Sequence, residues 1–495
     1  MLKEDKIVLT PKQNECVNYP MEKNILVRGI AGSGKSLVII RRAKRILDQM
    51  DSCGQDVRIV IYTYANSLVY FMKEVMALGG KYADAITITT LDKEILSVYR
   101  TVFNCPRLYG VYPNPGQCND ILDSVISDVI DEENEDNRFL QDSLRKFLEN
   151  ELAWMKQHMF TKSSQYINCV RKGRGSIRIS KQDRSLIFDI YTAYYKELEK
   201  KYPFNFDTLC EKLYSHRSEI PDSCKYDFVL IDEAQDLPLN KMLIARELTE
   251  GALTISADFA QKIYNSGFTW KEVGISFRGQ AAKKLNGTHR NTLQIAKFAN
   301  NIARHNTELS QMDEDDGYSA PELPEREGAL PILRYTSTID SEGREIAALV
   351  RRIRKESPDM TIGILGRTAR GMNIIKRWLT GFDYEVIEIP RNSEPEFRVL
   401  EPGVKLVTYH SSKGLEFDVV ILPMLDDGVF PFTYNVDTSD KEILEDAMNS
   451  ARSLLYVGVT RARSELYMFA GDGTLRTPSP VIAEIDKTLY EVVSK

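Results

Sequence analysis

The 495-residue chain is poor in the residues that cross-link, span membranes or coat a surface with one charge. It has seven cysteines, an odd number, scattered with no C-x-x-C pair, and five histidines in no ligand-like cluster. That excludes a disulfide scaffold and a zinc site, and fits reduced thiols in the cytoplasm. No apolar run approaches the roughly 20 residues that cross a bilayer, and Met1 to Thr10 lacks a secretory signal pattern, so no membrane partner is expected. Positive charge is not in excess: 65 Lys and Arg face 71 Asp and Glu, a net charge of −6. A uniformly basic nucleic-acid coat is thereby excluded, although a local basic groove is not. No short-period repeat is visible. What remains, 43% hydrophobic and 27% charged, is an ordinary globular composition, long enough for two to four domains.

Against this background one stretch carries specific chemistry: Gly29-Ile30-Ala31-Gly32-Ser33-Gly34-Lys35-Ser36 reads G-x-x-x-x-G-K-S. Glycines let backbone N–H groups curl into an anion-binding nest. Lys35 suits the β/γ-phosphates, and the Ser36 hydroxyl suits Mg²⁺. The context agrees. Asn24 to Val27 reads as a buried strand, and Val38, Ile39, Ala43, Ile46 and Leu47 recur at helical spacing. Strand, loop and helix together aim a helix N-terminus at phosphate.

Upstream, Gln13 has an amide able to donate and accept at once, as an adenine edge requires, although surface glutamine is the commoner fate. Downstream, β-branched runs at 57–64 and 85–90 predict core strands. Thr63, Asn66, Thr89 and Thr90 fall at or just past their ends, where open α/β sheets bind ligands. From about Tyr99 to Tyr202 the chain turns helical and charged, reading as an insertion. Within it, the basic cluster Arg171-Lys172-Gly173-Arg174-Gly175 could meet phosphates or simply sit in a surface loop. The sheet resumes at Tyr226 to Ile231 and runs into Asp232-Glu233-Ala234-Gln235-Asp236. Asp232 at a strand tip suits Mg²⁺, and Glu233 suits a general base. From residue 285, strands and helices alternate again without a second phosphate loop. The pattern predicts an α/β fold with mainly parallel sheets and helices on both faces.

In this order the motifs resemble the superfamily 1 helicases of the UvrD/Rep/PcrA type, over most of the chain outside residues 100–200. Gln13 matches the adenine-reading glutamine, Gly29 to Ser36 the first helicase motif, and Asp232 to Asp236 the D-E-x-Q-D form. Gln261-Lys262-Ile263-Tyr264 resembles Q-S-I-Y, and Thr288-His289-Arg290 resembles N-Y-R. Val407 to Phe417 resembles T-x-H-x-x-K-G-L-E-F, and Tyr456 to Ala462 resembles Y-V-A-x-T-R-A. The resemblance implies two RecA-like, doubly wound parallel-sheet lobes of the P-loop NTPase class, with a mainly helical insertion in the first. The expected divisions are 1–98 and 204–284 for the first lobe, 99–203 for the insertion and 285–495 for the second lobe.

It also implies ATP and Mg²⁺, the metal held at Ser36 and Asp232. Gln261, Arg290 and Arg461 would act on the γ-phosphate, with Glu416 near the nucleotide. Single-stranded or forked DNA would be tracked by Thr63, Asn66, Thr90, Arg367 and His410, with Tyr264 and Trp270 stacking on bases. The expected activity is a 3′→5′ DNA translocase or helicase. The alternatives are an RNA-directed helicase, or a nucleotide-dependent switch for a protein partner such as a nuclease. Repair, replication restart, plasmid maintenance and antiviral defence all use such motors. Two departures stand out. Asn265-Ser266 follows Tyr264 where the family has arginine and an aromatic residue, and only 118 residues separate Arg290 from Thr408. The large second-lobe insertion of typical relatives is therefore expected to be missing or vestigial.

Overall fold

The computed structural model describes residues 7–493 apart from 65, 78–80, 106–112, 131–133, 172, 173, 175, 176, 259–266, 278–280, 311–321, 383, 390–400 and 434–437. Two sheets organise it. The first contains β1 (Ile25–Gly29), β2 (Ile59–Thr63), β3 (Ile86–Thr90), β4 (Tyr226–Ile231), β5 (Thr249–Ala257) and β6 (Ala282–Leu285), in the order β3-β2-β4-β5-β1-β6. The second contains β7 (Ile332–Thr336), β8 (Thr361–Gly366), β9 (Val386–Ile389), β10 (Gly403–Thr408), β11 (Phe417–Leu422), β12 (Ala462–Gly471) and β13 (Glu491–Val493). Its order is β13-β7-β12-β11-β8-β10-β9. Every pairing in both sheets is parallel. Parallel strands are covered on both faces, which is why β2 and the end of β4 read as unbroken apolar runs.

The alternating pattern in the sequence is thus two parallel α/β lobes. Periodicity left β6, β13 and the helix Pro11–Val17 unmarked. The strand Ala-Lys-Lys-Leu of β6 carries no β-branched signal; pairing along β1 alone makes it a strand. Between Arg290 and Thr408 the described elements are β7–β10 and the helices around them, chiefly Leu293–Arg304, Ile339–Glu356 and Ala369–Gly381. Among the described residues no helix is long and apolar enough to cross a membrane.

The helices Pro115–Val129, Arg145–Gln157 and Lys181–Lys201 build a separate core that includes Leu148, Trp154, Tyr166 and Leu198. That core also takes in Ile443 from the second lobe's helix Lys441–Val459. Arg138 reaches Asp440 (3.3 Å) and Glu442 (3.5 Å) on the same turn. Lys172 of the basic cluster lies outside the described residues, and the cluster's two arginines are not offered to phosphates. Arg171 and Arg174 are buried against the fully buried Glu151, at 2.7 and 2.8 Å, with the Tyr166 hydroxyl donating to the same carboxylate. Burial pushes the Glu151 carboxyl up, but the two guanidinium groups outweigh it and hold the group at about 2. A sequence window shows the charges but not a carboxylate twenty residues away.

Candidate functional site

The carboxyl ends of three adjacent strands, β4, β5 and β1, open onto one crevice, the usual place for a ligand in a parallel sheet. After β1 comes the glycine-rich turn, in which Gly32 and Gly34 take left-handed φ values of +73° and +84°. The helix Lys35–Ser52 then begins, pointing its N-terminus into the crevice. Lys35 Nζ donates to the Gly29 carbonyl (3.0 Å) and the Ile30 carbonyl (3.1 Å), and lies 3.4 Å from Asp258 at the end of β5. The Ser33 hydroxyl is buried with no partner among the described residues.

After β4, the Ser36 hydroxyl donates to Asp232 Oδ2 at 2.6 Å, while Ser256 and the Glu233 N–H hold Oδ1. Glu233 is a non-glycine residue at φ +57°, a conformation that stores strain and turns its carboxylate away from the run of the strand. The Gln235 amide donates to Glu233, and its oxygen accepts the Asp258 N–H at 2.9 Å. Gln235 therefore ties the Glu233 carboxylate to the Asp258 backbone at the end of β5. Burial, then the charge of Glu233, pushes the Asp232 carboxyl up. Glu233 feels the same burial, but Lys35, Lys413, Gln235 and Arg461 hold it below the usual carboxylate range.

The second lobe closes the site. Arg290 Nη2 lies 2.6 Å from Glu416, and Nη1 donates to the Thr460 carbonyl; its Nε is buried with no partner among the described residues. Glu416 is 43% exposed; the loss of part of its water raises its carboxyl, but Arg290, then Arg463 and Arg461, bring it below the usual range. Arg461 is almost completely buried, donating to the Val457 and Leu415 carbonyls. Burial and the neighbouring Arg290 pull it down to about 10, which leaves it charged at neutral pH. The segment bearing Arg290 touches the phosphate-type turn directly. His289 N–H donates to the Gly32 carbonyl at 2.9 Å, and a Cβ on Gly32 would lie 2.6 Å from Arg290 Cβ.

The structure thus brings together Lys35, Ser36, Asp232, Glu233, Arg290, Glu416 and Arg461 from five separate stretches of the chain. Gln13 is nearby but differently employed. It is buried; its Nε2 donates to the Ser33 carbonyl of the turn, while its Oε1 accepts the Thr10 N–H and closes the capping box of its own helix. Gln261 and Tyr264 lie outside the described residues. Asp258, Gln235 and Lys413 belong to the site without having been assigned a part in it from the sequence. Gln235 and Lys413 fall inside the matched stretches 232–236 and 407–417, and Asp258 directly follows β5.

A second edge lies beyond the carboxyl ends of the outer strands. Thr63 and Thr90 end β2 and β3 as register partners, with Asn66 opening the next helix. Thr90 also caps the helix Leu91–Val102, its hydroxyl accepting the Lys93 N–H. In the second lobe, Thr408 pairs with Gly366, which places His410 and Arg367 just past adjacent strand ends. The Arg367 guanidinium sits over the Phe430 and Phe432 rings at 5.1 and 5.5 Å. Trp270 is half-buried, edge-on to Phe268 and Phe277 at 5.4 and 5.6 Å, and packs on the first-lobe core.

Residues 9–266 match the model of the UvrD/REP helicase N-terminal domain, and residues 384–472 match that of the UvrD-like helicase C-terminal domain. A probable DNA helicase II homolog of Rickettsia conorii is 39% identical over 91 residues, which are 18% of this chain and 12% of that protein. The ATP-dependent DNA helicase PcrA of Bacillus subtilis is 40% identical over 97 residues, again 18% of this chain and 12% of that one. The chain thus aligns with only about an eighth of those relatives' length. A solved structure, the C-terminal domain of a possible DNA helicase from Lactobacillus plantarum, shares 22% identity and covers 41% of this chain and 98% of its own. Its TM-score of 0.28 is too low to bear on fold or function.

Proposed function

Because the chain belongs to the UvrD/REP helicase family, we propose that it hydrolyses ATP between its two lobes and uses that cycle to step 3′→5′ along single-stranded DNA and part duplex. The observation that carries this reading is the contact between the Gly29–Ser36 turn and the Arg290 segment. It makes the phosphate site an interlobe site, so hydrolysis there is coupled to lobe movement.

The backbone N–H groups of the turn and Lys35 bind the phosphates. The Ser36 hydroxyl and Asp232 carboxylate, 2.6 Å apart, form a hard oxygen pair suited to Mg²⁺, which neutralises phosphate charge when bound. No cluster of three or more His, Cys, Asp or Glu able to hold a metal exists among the described residues. The remaining ligands would be phosphate oxygens and water. Glu233, held ionised by its cationic neighbours, accepts a proton from the attacking water. Arg290 and Arg461 stabilise charge developing on the γ-phosphate. Thr63, Asn66, Thr90, Arg367 and His410 hold the strand at the outer edge, and Phe432, 44% exposed beside Arg367, offers it an apolar face.

The test is ATP hydrolysis with and without oligo(dT), and strand displacement on tailed duplexes of both polarities. Stimulated hydrolysis that Lys35→Ala abolishes supports the reading; hydrolysis indifferent to DNA refutes it. A second reading is a DNA-stimulated motor that unwinds only with a protein partner such as a nuclease. It is favoured by the 290–408 segment, whose described residues contribute core elements alone. Stimulated hydrolysis without strand displacement by the single chain would select it.

A further inference from the structure

We propose that Lys413 is a positioning residue: its ion pair with Asp236 sets the first lobe's carboxylate turn in register with the second lobe, and so links strand occupancy to hydrolysis. The inference rests on the motor reading above and names the residue that does the coupling.

Lys413 lies in the loop between β10 and β11, and its ammonium meets the Asp236 carboxylate across the lobe boundary. Both side chains are buried, at 3% and 0% exposure. A buried ion pair adds little net stability, because desolvating two charges offsets their attraction; its best-attested use is to fix register. The position suits that use. At one end of the loop Thr408 and His410 sit at the proposed strand edge, and at the other Glu416 pairs with Arg290 at the nucleotide site.

The loop between them is held stiff by its own hydrogen bonds. Ser411 N–H donates to the Thr408 hydroxyl (3.1 Å), Ser412 N–H to the Thr408 carbonyl (2.9 Å) and Leu415 N–H to the Ser412 carbonyl (2.9 Å). Gly414, at φ +80°, seats the loop on the first lobe: a Cβ there would lie 3.2 Å from Leu68. On the other side of the pair, Asp236 N–H donates to the Glu233 carbonyl (3.2 Å), closing the turn that presents Glu233. Displacing the strand edge therefore moves Lys413, and through Asp236 the turn that aims the general base.

The experiment is steady-state hydrolysis over a titration of oligo(dT) for wild type, Lys413→Gln, Asp236→Asn and the double variant. We expect each single variant to lose about tenfold or more in DNA-stimulated kcat, with the KM for ATP moving less than about threefold, because the contact sets the turn and not the nucleotide pocket. The double variant should be no worse than either single one, since the two side chains act as one unit. Stimulated kcat within about twofold of wild type in Lys413→Gln, or losses that multiply in the double variant, overturns the proposal. If a lone buried charge keeps the single variants from folding, the doubly neutral chain decides: a loss of about tenfold or more supports the proposal, and wild-type stimulation overturns it. Wild type that oligo(dT) does not stimulate would instead refute the motor reading, and this inference with it.

Discussion

Gly32→Ala tests whether the two lobes meet at the phosphate turn in the working state. The residue has φ +73°, where an L side chain costs about 1–2 kcal/mol. Its new Cβ would lie 2.6 Å from Arg290 Cβ and 2.7 Å from the Thr288 hydroxyl, far inside the roughly 3.5–4.0 Å that carbon atoms prefer. Backbone surrounds both neighbours, so relief requires the 288–290 segment to withdraw, which also sacrifices the His289 to Gly32 hydrogen bond, about 0.5–1.5 kcal/mol. The backbone strain lowers folding stability, while the lost interlobe hydrogen bond, about 0.5–1.5 kcal/mol, is the part that weakens nucleotide affinity, by roughly 2- to 12-fold.

Gly54→Ala is the control. It has φ +68° but nothing within 4 Å of its Cβ position, so it carries the backbone strain without the interlobe clash. It should lower the unfolding free energy by about 1–2 kcal/mol and leave nucleotide binding alone. Adding Thr288→Ala to Gly32→Ala removes one of the two clashes and should recover part of the loss. Titration with a fluorescent ATP analogue, beside urea unfolding, reads the three variants and wild type. Equal nucleotide affinity in Gly32→Ala and Gly54→Ala, or no recovery in the double variant, would refute the reasoning.

Acid should loosen the helical region through Glu151. Its carboxyl is depressed to about 2 from a reference value of 4.5, so its stabilisation is complete above the unfolded value and is lost as pH falls through the folded one. The amount is about 3 kcal/mol, lost between pH of about 5 and 2. Glu151→Gln should flatten the dependence of urea unfolding on pH in that window, and an unchanged slope would contradict the assignment. Ile443→Ala should weaken the seat of the helical region on the second lobe by about 2–4 kcal/mol, seen as a separate early transition in calorimetry; one unaltered cooperative transition would show that the contact is not needed. Glu233→Gln should retain nucleotide binding while slowing hydrolysis by about 10²-fold or more, as loss of a positioned base does, and single-turnover hydrolysis at the wild-type rate would remove it from that role.

Local sequence determined the parts that depend on local physics. A phosphate turn needs glycines at left-handed φ, and Gly32 and Gly34 supply them in the pattern. A buried parallel strand must be apolar throughout, so β2, β4 and β11 could be read directly, and the tip of β4 marked Asp232 as a neighbour of chemistry, whereas Ser36 came from the glycine-rich pattern and Glu416 from the family resemblance. Tertiary structure alone decided what depends on residues far apart in the chain. It made a strand of β6 by pairing it with β1, turned Gln13 inward to brace the Ser33 carbonyl, and spent Arg171 and Arg174 on Glu151. It also joined Lys413 to Asp236 across 177 positions of sequence. The physical reason is that charge and hydrogen-bonding capacity are properties of a residue, whereas what satisfies them is a property of where the chain folds.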